Sequence, residues 1–462
     1  MQTATANVPS TPVTEYKTGS LTYSKKGLLI LSLWLLWGDF AFQFFESIFA
    51  RFMPIFLKEL NASNTLIGIM TGSFAGLVNV LFLPMISQWC DNLRTPIGRR
   101  IPLLYVFAPL TVVTLIGVGF APEMGQWLHS WAGGLLPSTM TAGTVTLGLL
   151  CVLVVSFHFF NMVLVNGYNW LVRDVVPLSV MSRFLAWFSI VGAISGTLFL
   201  WFVFPHLLEH RQVIFLGVGV FYIVAFFLMC MKVKEGEYPP PVQKSEQPGI
   251  ARTFVTYFRE CLQIRLYRHF FLTCLLMIAA TTGANNFITL FARESLGLNM
   301  GQLGHVFAWT SAISVLFFYP TGWLCDRFSP MHIALISIIL IIVSQLMAFL
   351  FVGSWLGFFI YSLAYALPAV AWGLCQRASS MKLFPAEKFG QFSGGLNVFG
   401  CGALIASNFL TGLLMDALRS DYRFAFLWAV VMALASIPSM LIVLREWHLH
   451  GGRGHYVPPL PS

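Results

Sequence analysis

Asp39, Gln43 and Glu46 lie in an apolar run from 28 to 50, and their spacing of four and three residues puts all three on one stripe of a helix. A carboxylate turned toward lipid costs about 2.5 kcal/mol or more, so the stripe is expected to face a wet interior or a partner helix. Two kinds of chemistry suit it, contact with a polar solute and exchange of a proton. A fixed hydrogen bond between helices is the structural alternative.

Other apolar runs repeat the pattern. His158, Asn161, Asn166 and Asn169 fall within about 140 degrees of one another by helical spacing, and a histidine at that depth can exchange protons. Tyr361, Tyr365, Trp372 and Gln376 follow one another at 4, 7 and 4 residues, nearly a single stripe. Aromatic faces with hydrogen-bonding tips suit sugars, although core residues share this spacing, and Pro368 among them can free carbonyls for a ligand or merely kink the helix. Asn79, Thr281, Asn285 and Asn286 add hydrogen-bonding groups, and His305 and Trp309 stand a turn apart. Asn397 and Asn408 sit among Gly390, Gly394, Gly395, Gly400 and Gly402, which point to close helix packing. Arg377, the one basic residue placed within a span, has several roles open to it: counter-ion to Asp39 or to an acid at the membrane surface, contact with an anionic solute, or snorkelling.

The elements that position these groups follow from composition. Of 462 residues 57% are hydrophobic and 10% charged, and the mean hydropathy is +0.76, which excludes an ordinary soluble globular protein. Apolar segments long enough to span a bilayer run at roughly 28 to 50, 65 to 89, 101 to 121, 144 to 171, 184 to 205 and 212 to 232. Six more run at 268 to 292, 301 to 324, 331 to 351, 355 to 380, 390 to 415 and 423 to 444, so an all-α membrane protein of twelve helices is predicted. An even number puts both termini on one side. Twenty Lys and Arg fall on that side against six on the other, Arg51, Lys58, Arg211, Arg293, Arg419 and Arg423, so the termini are predicted to be cytoplasmic. The net charge of +9 thus reads as topology, with no nucleic-acid partner implied. Neither a cleaved signal peptide nor a disulfide framework is expected, and the cysteine spacing holds no metal-ligand pattern.

The predicted organisation is a disordered tail (1–26), a six-helix bundle (27–232), a Pro- and Arg-rich linker (233–265), a second six-helix bundle (266–447) and a tail (448–462). Within the linker, Gly249 to Arg265 can form a short amphipathic helix on the membrane surface. The halves echo each other. Phe49-Ala50-Arg51 matches Phe291-Ala292-Arg293, and Cys90-Asp91 matches Cys325-Asp326. Gly68 precedes Asp91 by 23 residues, as Gly304 precedes Asp326 by 22. A repeat with an even number of spans is parallel.

Asp91, Arg94, Gly98, Arg99, Arg100 and Pro102 compose an acid followed by Arg-x-x-x-Gly-Arg-Arg-x-Pro, which resembles the signature of the glycoside-cation and sucrose-proton symporters of the major facilitator superfamily. Asp326-Arg327 is its worn counterpart. The resemblance implies that this loop gates conformation by stabilising an outward-facing state, with Arg377 near the same surface; positive-inside anchoring is the plainer role. Gly38-Asp39-Phe40 also resembles the first-helix segment in which an acid of those symporters contacts sugar. Sodium-coupled members carry acids at the positions of Asn79 and Leu83, and their absence here turns the expectation toward protons, since a hard cation prefers carboxylate oxygen.

The expected function is cation-coupled symport of a sugar or glycoside in the cell membrane, with Asp39, Gln43, Asn79, Asn161, Asn285, Tyr361, Tyr365, Trp372 and Gln376 toward the solute. Asp39, Glu46 and His158 are the expected proton carriers. A monomer needing no cofactor is expected. The alternatives are a carrier of another polar solute or of an amphiphilic lysolipid, and a non-transporting sensor on the same fold. No nucleotide-cradling or hydrolase motif is present, so no enzyme is expected.

Overall fold

A computed structural model describes residues 16–132, 137, 140–238 and 262–459. Among them twelve helices are long and apolar enough to cross a membrane, the number expected. In the first half these are α1 (Lys25–Glu59), α2 (Asn64–Asn92), α3 (Ile101–Gly119), α5 (Ala142–Val175), α6 (Leu178–Leu198, prolonged by a π turn at Phe199–Val203 and a 3-10 turn at Phe204–His206) and α7 (Arg211–Lys232). A short helix, α4 (Ala121–Ala132), intervenes between α3 and α5. The second half holds α8 (Arg265–Leu290, prolonged by a π turn at Phe291–Ser295), α9 (Met300–Phe328), α10 (Pro330–Phe351), α11 (Trp355–Leu383), α12 (Phe389–Ala417) and α13 (Phe424–Leu449), followed by a single turn, α14 (Gly452–His455).

Two expectations are corrected. Residues 16–23 are ordered as an antiparallel hairpin, Tyr16–Thr18 against Leu21–Tyr23, in place of a disordered tail. Ser20 Oγ in its turn accepts from the Glu237 amide at 2.7 Å, pinning the hairpin to the chain that leaves α7. The carboxyl-terminal segment is also packed down: α13 runs to Leu449, and Tyr456 donates to the Leu383 carbonyl at 3.0 Å. Arg51, placed beyond the first span by length alone, lies inside α1, which continues eight residues further. The linker residues Pro239, Pro240, Pro241, Lys244, Pro248, Arg252 and Arg259, and nearly all of the expected surface helix, lie outside the described residues.

An even number of crossings gives the molecule a proximal face, where α1 begins and α13 ends, and an opposite, distal face. The halves meet toward the distal face. One apolar core there is continuous across them, joining Phe49, Phe52 and Phe204 of the first half to Phe291, Phe307 and Phe426 of the second. Toward the proximal face the cores separate: the same core runs on through the first half alone, past Leu35, Tyr168 and Met229, a second gathers around Tyr267, Phe384 and Trp447 in the second half, and a small one sits around Val78, Leu103 and Val163. Two helix pairs make the seam, α2 with α12 and α6 with α9. Each closes at a glycine of the repeat. A Cβ on Gly68 would run into the Asn408 carbonyl, and one on Gly304 would stand 2.6 Å from the Leu200 carbonyl. Small residues where backbones touch are what helix association in a bilayer requires. Of the glycines read as packing residues in α12, Gly390, Gly394 and Gly402 meet nothing, and Gly400 has the Ile278 side chain 3.2 Å from its Cβ position; the tighter approach is at Gly412, not among those read, with a Cβ position 2.6 Å from the Asn64 carbonyl.

Gly304→Leu is therefore expected to hold the α6–α9 seam apart at the distal end. Overpacking of this kind costs about 1–3 kcal/mol. Spin-label distances between distal positions of α6 and α9 in the purified protein check it, with a longer population expected in the variant.

Candidate functional site

The hydrogen bonds described between the halves all fall in the distal part of the seam. Asp416, at the end of α12, receives the Asn64 and Thr65 amides at 2.8 Å each and the Thr65 hydroxyl at 2.6 Å. A carboxylate of one half thus caps the first turn of a helix in the other, where free amides and the helix dipole favour negative charge. Tyr422 donates to Asn64 Oδ1 at 2.8 Å, and Asn64 Nδ2 donates to Ser420 Oγ at 2.8 Å. Deeper down, Asn286 donates to Thr71 Oγ1 at 2.9 Å and to Asn408 Oδ1 at 3.0 Å. On the second seam Thr197 donates to Ser311 at 3.0 Å, and Trp201 packs on His305 and Trp309 with ring centroids 5.1 and 5.4 Å apart.

Beneath these contacts lies a cavity of about 360 Å³ between α1, α6 and α9. Ser47, Arg51, Gly196, Phe307, Ser311 and Ser314 are among its lining. Arg51 donates to Asn285 Oδ1 at 3.4 Å, stands 4.5 Å from the centroid of the Phe307 ring, and lies within electrostatic reach of Tyr365. Two residues expected to face the solute, Asn285 and Tyr365, are thereby gathered around a residue that length alone had put outside.

The acidic stripe of α1 runs up to this cavity. Asp39 is fully buried. Its Oδ1 accepts from Gln43 Nε2 at 3.3 Å, and its Oδ2 has no partner among the described residues. Both side chains lie against Gly192 of α6, next to the lining residue Ala193: a Cβ there would be 3.2 Å from Gln43 Cγ and 3.4 Å from Asp39 Oδ2. Ser47, one turn on, donates to the Gln43 carbonyl at 2.7 Å and lines the cavity. Glu46 points to the neighbouring seam, where Asn161 Nδ2 donates to it at 3.0 Å. His158 bonds the Met70 carbonyl through Nε2 at 2.8 Å and meets the Phe49 ring edge-on at 5.0 Å. It fills the α1–α2–α5 junction away from the lining of the cavity.

Other candidates lie elsewhere. Asn79 and Asn166 donate to carbonyls of their own helices, Ala75 and Met162, at 2.8 Å each. Tyr361 donates to Gln345 at 3.2 Å, and Trp372 belongs to the apolar core of the second half. Gln376 bonds the Cys274 thiol in the same bundle. The aromatic stripe of α11 therefore faces mainly its own half. Arg377 is exposed and makes no ion pair among the described residues, with Asp39 or any other acid.

At the proximal face the charged loop condenses into one cluster. Arg100, 1% exposed, donates to Asp91 at 2.7 Å and to Asp174 at 3.1 Å; Arg99 donates to Asp174 at 3.0 Å. Arg94 bonds the Asp91 and Leu93 carbonyls at 2.7 and 2.8 Å. Glu235, which sequence reasoning missed, accepts from the backbone amides of Arg99, Arg100 and Ile101 at 3.0, 2.8 and 2.6 Å and so caps α3. Gly98 has φ +113, and a Cβ there would collide with the Glu235 side chain, so the turn requires glycine twice over. Tyr238 donates to Glu235 at 2.6 Å, and its phenol is pushed up by burial and then by that carboxylate, which keeps the donor proton in place. All these partners belong to the first half. The worn counterpart forms no such cluster: Arg327 lies over the Trp323 ring, 5.1 Å from its centroid, and the Asp326 carbonyl accepts from Arg453 at 3.4 Å.

Residues 35–407 match the Major Facilitator Superfamily. No curated protein matches the chain. Among solved structures, a bacterial homologue of the human lysosomal transporter Spinster, in an inward-facing and unoccupied conformation, superposes with a TM-score of 0.65 at 14% identity, covering 92% of this chain and 97% of that one. A POT family transporter in complex with a thioalcohol-conjugated peptide gives 0.64 at 12% identity, covering 91% and 96%. A D-xylose-proton symporter gives 0.61 at 12% identity, covering 90% and 97%. These likenesses speak for the fold.

Asp416→Asn removes the charge from the cap but leaves an acceptor, so a loss of about 1 kcal/mol in distal closure is expected. Labelling of a cysteine introduced at Asn286 by a membrane-impermeant thiol reagent from the distal side should quicken. Glu235→Gln is expected to lower the melting temperature of the purified protein without affecting that labelling.

Proposed function

The chain belongs to the Major Facilitator Superfamily, and from that premise we propose that it is a secondary active transporter moving a sugar or glycoside across the cell membrane in symport with a proton, by alternating access. The surplus of Lys and Arg at the proximal face supports cytoplasmic termini. On that orientation the distal closure shuts the outside, and the conformation described is inward-facing.

Asp39 carries the reading. Its carboxyl group is fully buried, held by one long hydrogen bond, with the second oxygen unpartnered. An isolated buried carboxylate is costly unless something neutralises it, and among the described residues no cation lies within ion-pair distance. A proton meets that need, and the row Asp39, Gln43, Ser47 links its site to the cavity between the halves. Neither Asn79 nor Leu83 supplies the carboxylate a sodium site would want. The sugar assignment draws on the resemblance of the charged loop and of Gly38-Asp39-Phe40, and on the shared fold of a D-xylose-proton symporter. The amphiphile alternative has less support: the two large apolar grooves, of about 610 and 690 Å³, are lined by the second half alone, around Leu340, Leu367 and Pro368.

Proteoliposomes loaded against a proton or a sodium gradient, and offered a panel of radiolabelled sugars, test the proposal. Accumulation driven by protons alone is the expected result. Asp39→Asn should reduce it to the level of protein-free vesicles; undiminished accumulation by that variant refutes the role given to Asp39.

A further inference from the structure

Arg51 stands apart from the other partly covered arginines at the distal end. Arg211 donates to the Gly119 carbonyl at 2.7 Å and to Glu123 at 3.0 Å. Arg423 donates to the Val352 carbonyl at 2.9 Å. Arg293, the counterpart of Arg51 in the internal repeat, donates to the Leu298 carbonyl at 3.0 Å and so stitches down its own loop. Arg51 makes neither kind of contact. It points between the halves, where its polar partner is an amide oxygen at the long distance of 3.4 Å, and among the described residues it is the only charged one in the lining of the cavity. A guanidinium has five N–H donors, and one weak bond leaves most of them for whatever occupies the space beside it.

A partly covered cation with no acid beside it carries a cost. Phe307 beneath it and Tyr365 nearby soften this cost but leave the positive charge uncompensated. Around the cation lie hydroxyl groups, Ser47, Thr310, Ser311 and Ser314; those of Ser47, Thr310 and Ser314 give their protons to carbonyls of their own helices and so face a solute as acceptors for its hydroxyls. The volume of about 360 Å³ falls at the small end of the range for ligand sites. One charged, planar donor, a ring of hydroxyls and an aromatic wall recognise a compact polyhydroxylated molecule bearing an oxyanion, which a guanidinium binds through two parallel hydrogen bonds.

From this we infer that the transported solute is anionic, a sugar acid or sugar phosphate whose charged group docks on Arg51. The inference rests on the transport reading above and narrows its substrate class. It also gives the two charged positions of α1 separate duties. Twelve residues along a helix is about 18 Å, so a proton on Asp39 and an anion at Arg51 do not compete for one site; with a singly charged sugar acid the pair moves no net charge, whereas a sugar phosphate carries negative charge in excess of the one proton.

The test uses the full chain. Binding of D-glucuronate, D-glucose 6-phosphate and D-glucose to detergent-purified protein is read from the ligand-induced rise in melting temperature, and uptake of the same three into proteoliposomes is measured with and without a proton gradient. Wild type is expected to prefer one of the two anions over glucose by at least about tenfold, the ordinary worth of a hydrogen bond to a charged partner. The preferred anion tells carboxylate from phosphate. Arg51→Gln should abolish the preference, and Arg51→Lys should keep part of it. Preference for glucose, or a preference unchanged in Arg51→Gln, overturns the inference while leaving symport intact. Anion uptake indifferent to the proton gradient overturns the coupling and leaves the inference intact. If Arg51→Gln does not fold, the wild-type ranking and Arg51→Lys decide alone, and failure of wild type to bind either anion counts against the inference.

Discussion

An unsatisfied polar group is hardest to keep where there is no water to share it with, and that constraint arranges this molecule more than any apolar contact does. Inside a bilayer the backbone bonds close within each helix, which leaves the side chains to be explained one by one. Ser and Thr hydroxyls mostly return to carbonyls of their own helices, as in Thr111, Ser156 and Thr310. Amides bridge helices, as Asn286 does between Thr71 and Asn408. Against this background Asp39 Oδ2 and the guanidinium of Arg51 stand out, both on α1 and both beside the seam between the halves. At the proximal face of the first half, by contrast, Asp91 and Asp174 pair with Arg99 and Arg100, and Glu235 is taken up by backbone amides and the Tyr238 hydroxyl.

Much of the architecture was legible because the thickness of a membrane is a fixed ruler. Apolar runs of about twenty residues mark the twelve spans, and the repeat of Gly68 and Gly304 marks, unasked, the two places where the halves touch. The same ruler hid Arg51. It ends a span after one bilayer's worth of residues, whereas α1 continues for 35. The apolar stretch Phe52, Met53, Pro54, Ile55, Phe56, Leu57 was the available signal, since an exposed loop has no use for six such residues in a row. Helical periodicity misled in another way on α11. Tyr361 and Trp372 share a stripe, but spacing cannot say whether a stripe faces a chamber or a neighbouring helix, and these two pack within their own bundle. Glu235 and Asp416 gave no signal at all, because a capping acid is recognised by the amides it meets and not by its own neighbours in sequence.

The two halves descend from one pattern but do different work. In the first, the proximal loop holds Asp91, Arg99, Arg100, Asp174 and Glu235 in a closed network; in the second, Asp326 and Arg327 are left to an aromatic ring and a backbone contact. Since the partners of the intact network among the described residues lie in its own half, its charge pairs survive while the halves are apart on the proximal side, and it stiffens the ends of α2, α3 and α5 as one block. The loop can then present a preformed surface to the other half whenever the proximal side closes, and in that state the partly exposed Asp91 carboxylate is the group with capacity to spare.

The distal latch works by the opposite logic. Asp416 satisfies amides that belong to the other half, so opening the seam leaves the Asn64 and Thr65 N–H groups for water to take over, while Ser63, in the same half, keeps the Leu66 amide. Asp416 and Thr65 are partly exposed in the closed seam, so solvent is at hand to replace the carboxylate as the two helices part. The exchange of partners is thus coupled to the movement itself, and the latch opposes separation most at the start and least once solvent has entered. A network internal to one half cannot behave this way. Closure on the distal side is therefore a matter of complementary backbone and carboxylate geometry at α2 and α12, while the rigidity that lets the half move as a unit is set some distance away, at the proximal ends of α2, α3 and α5.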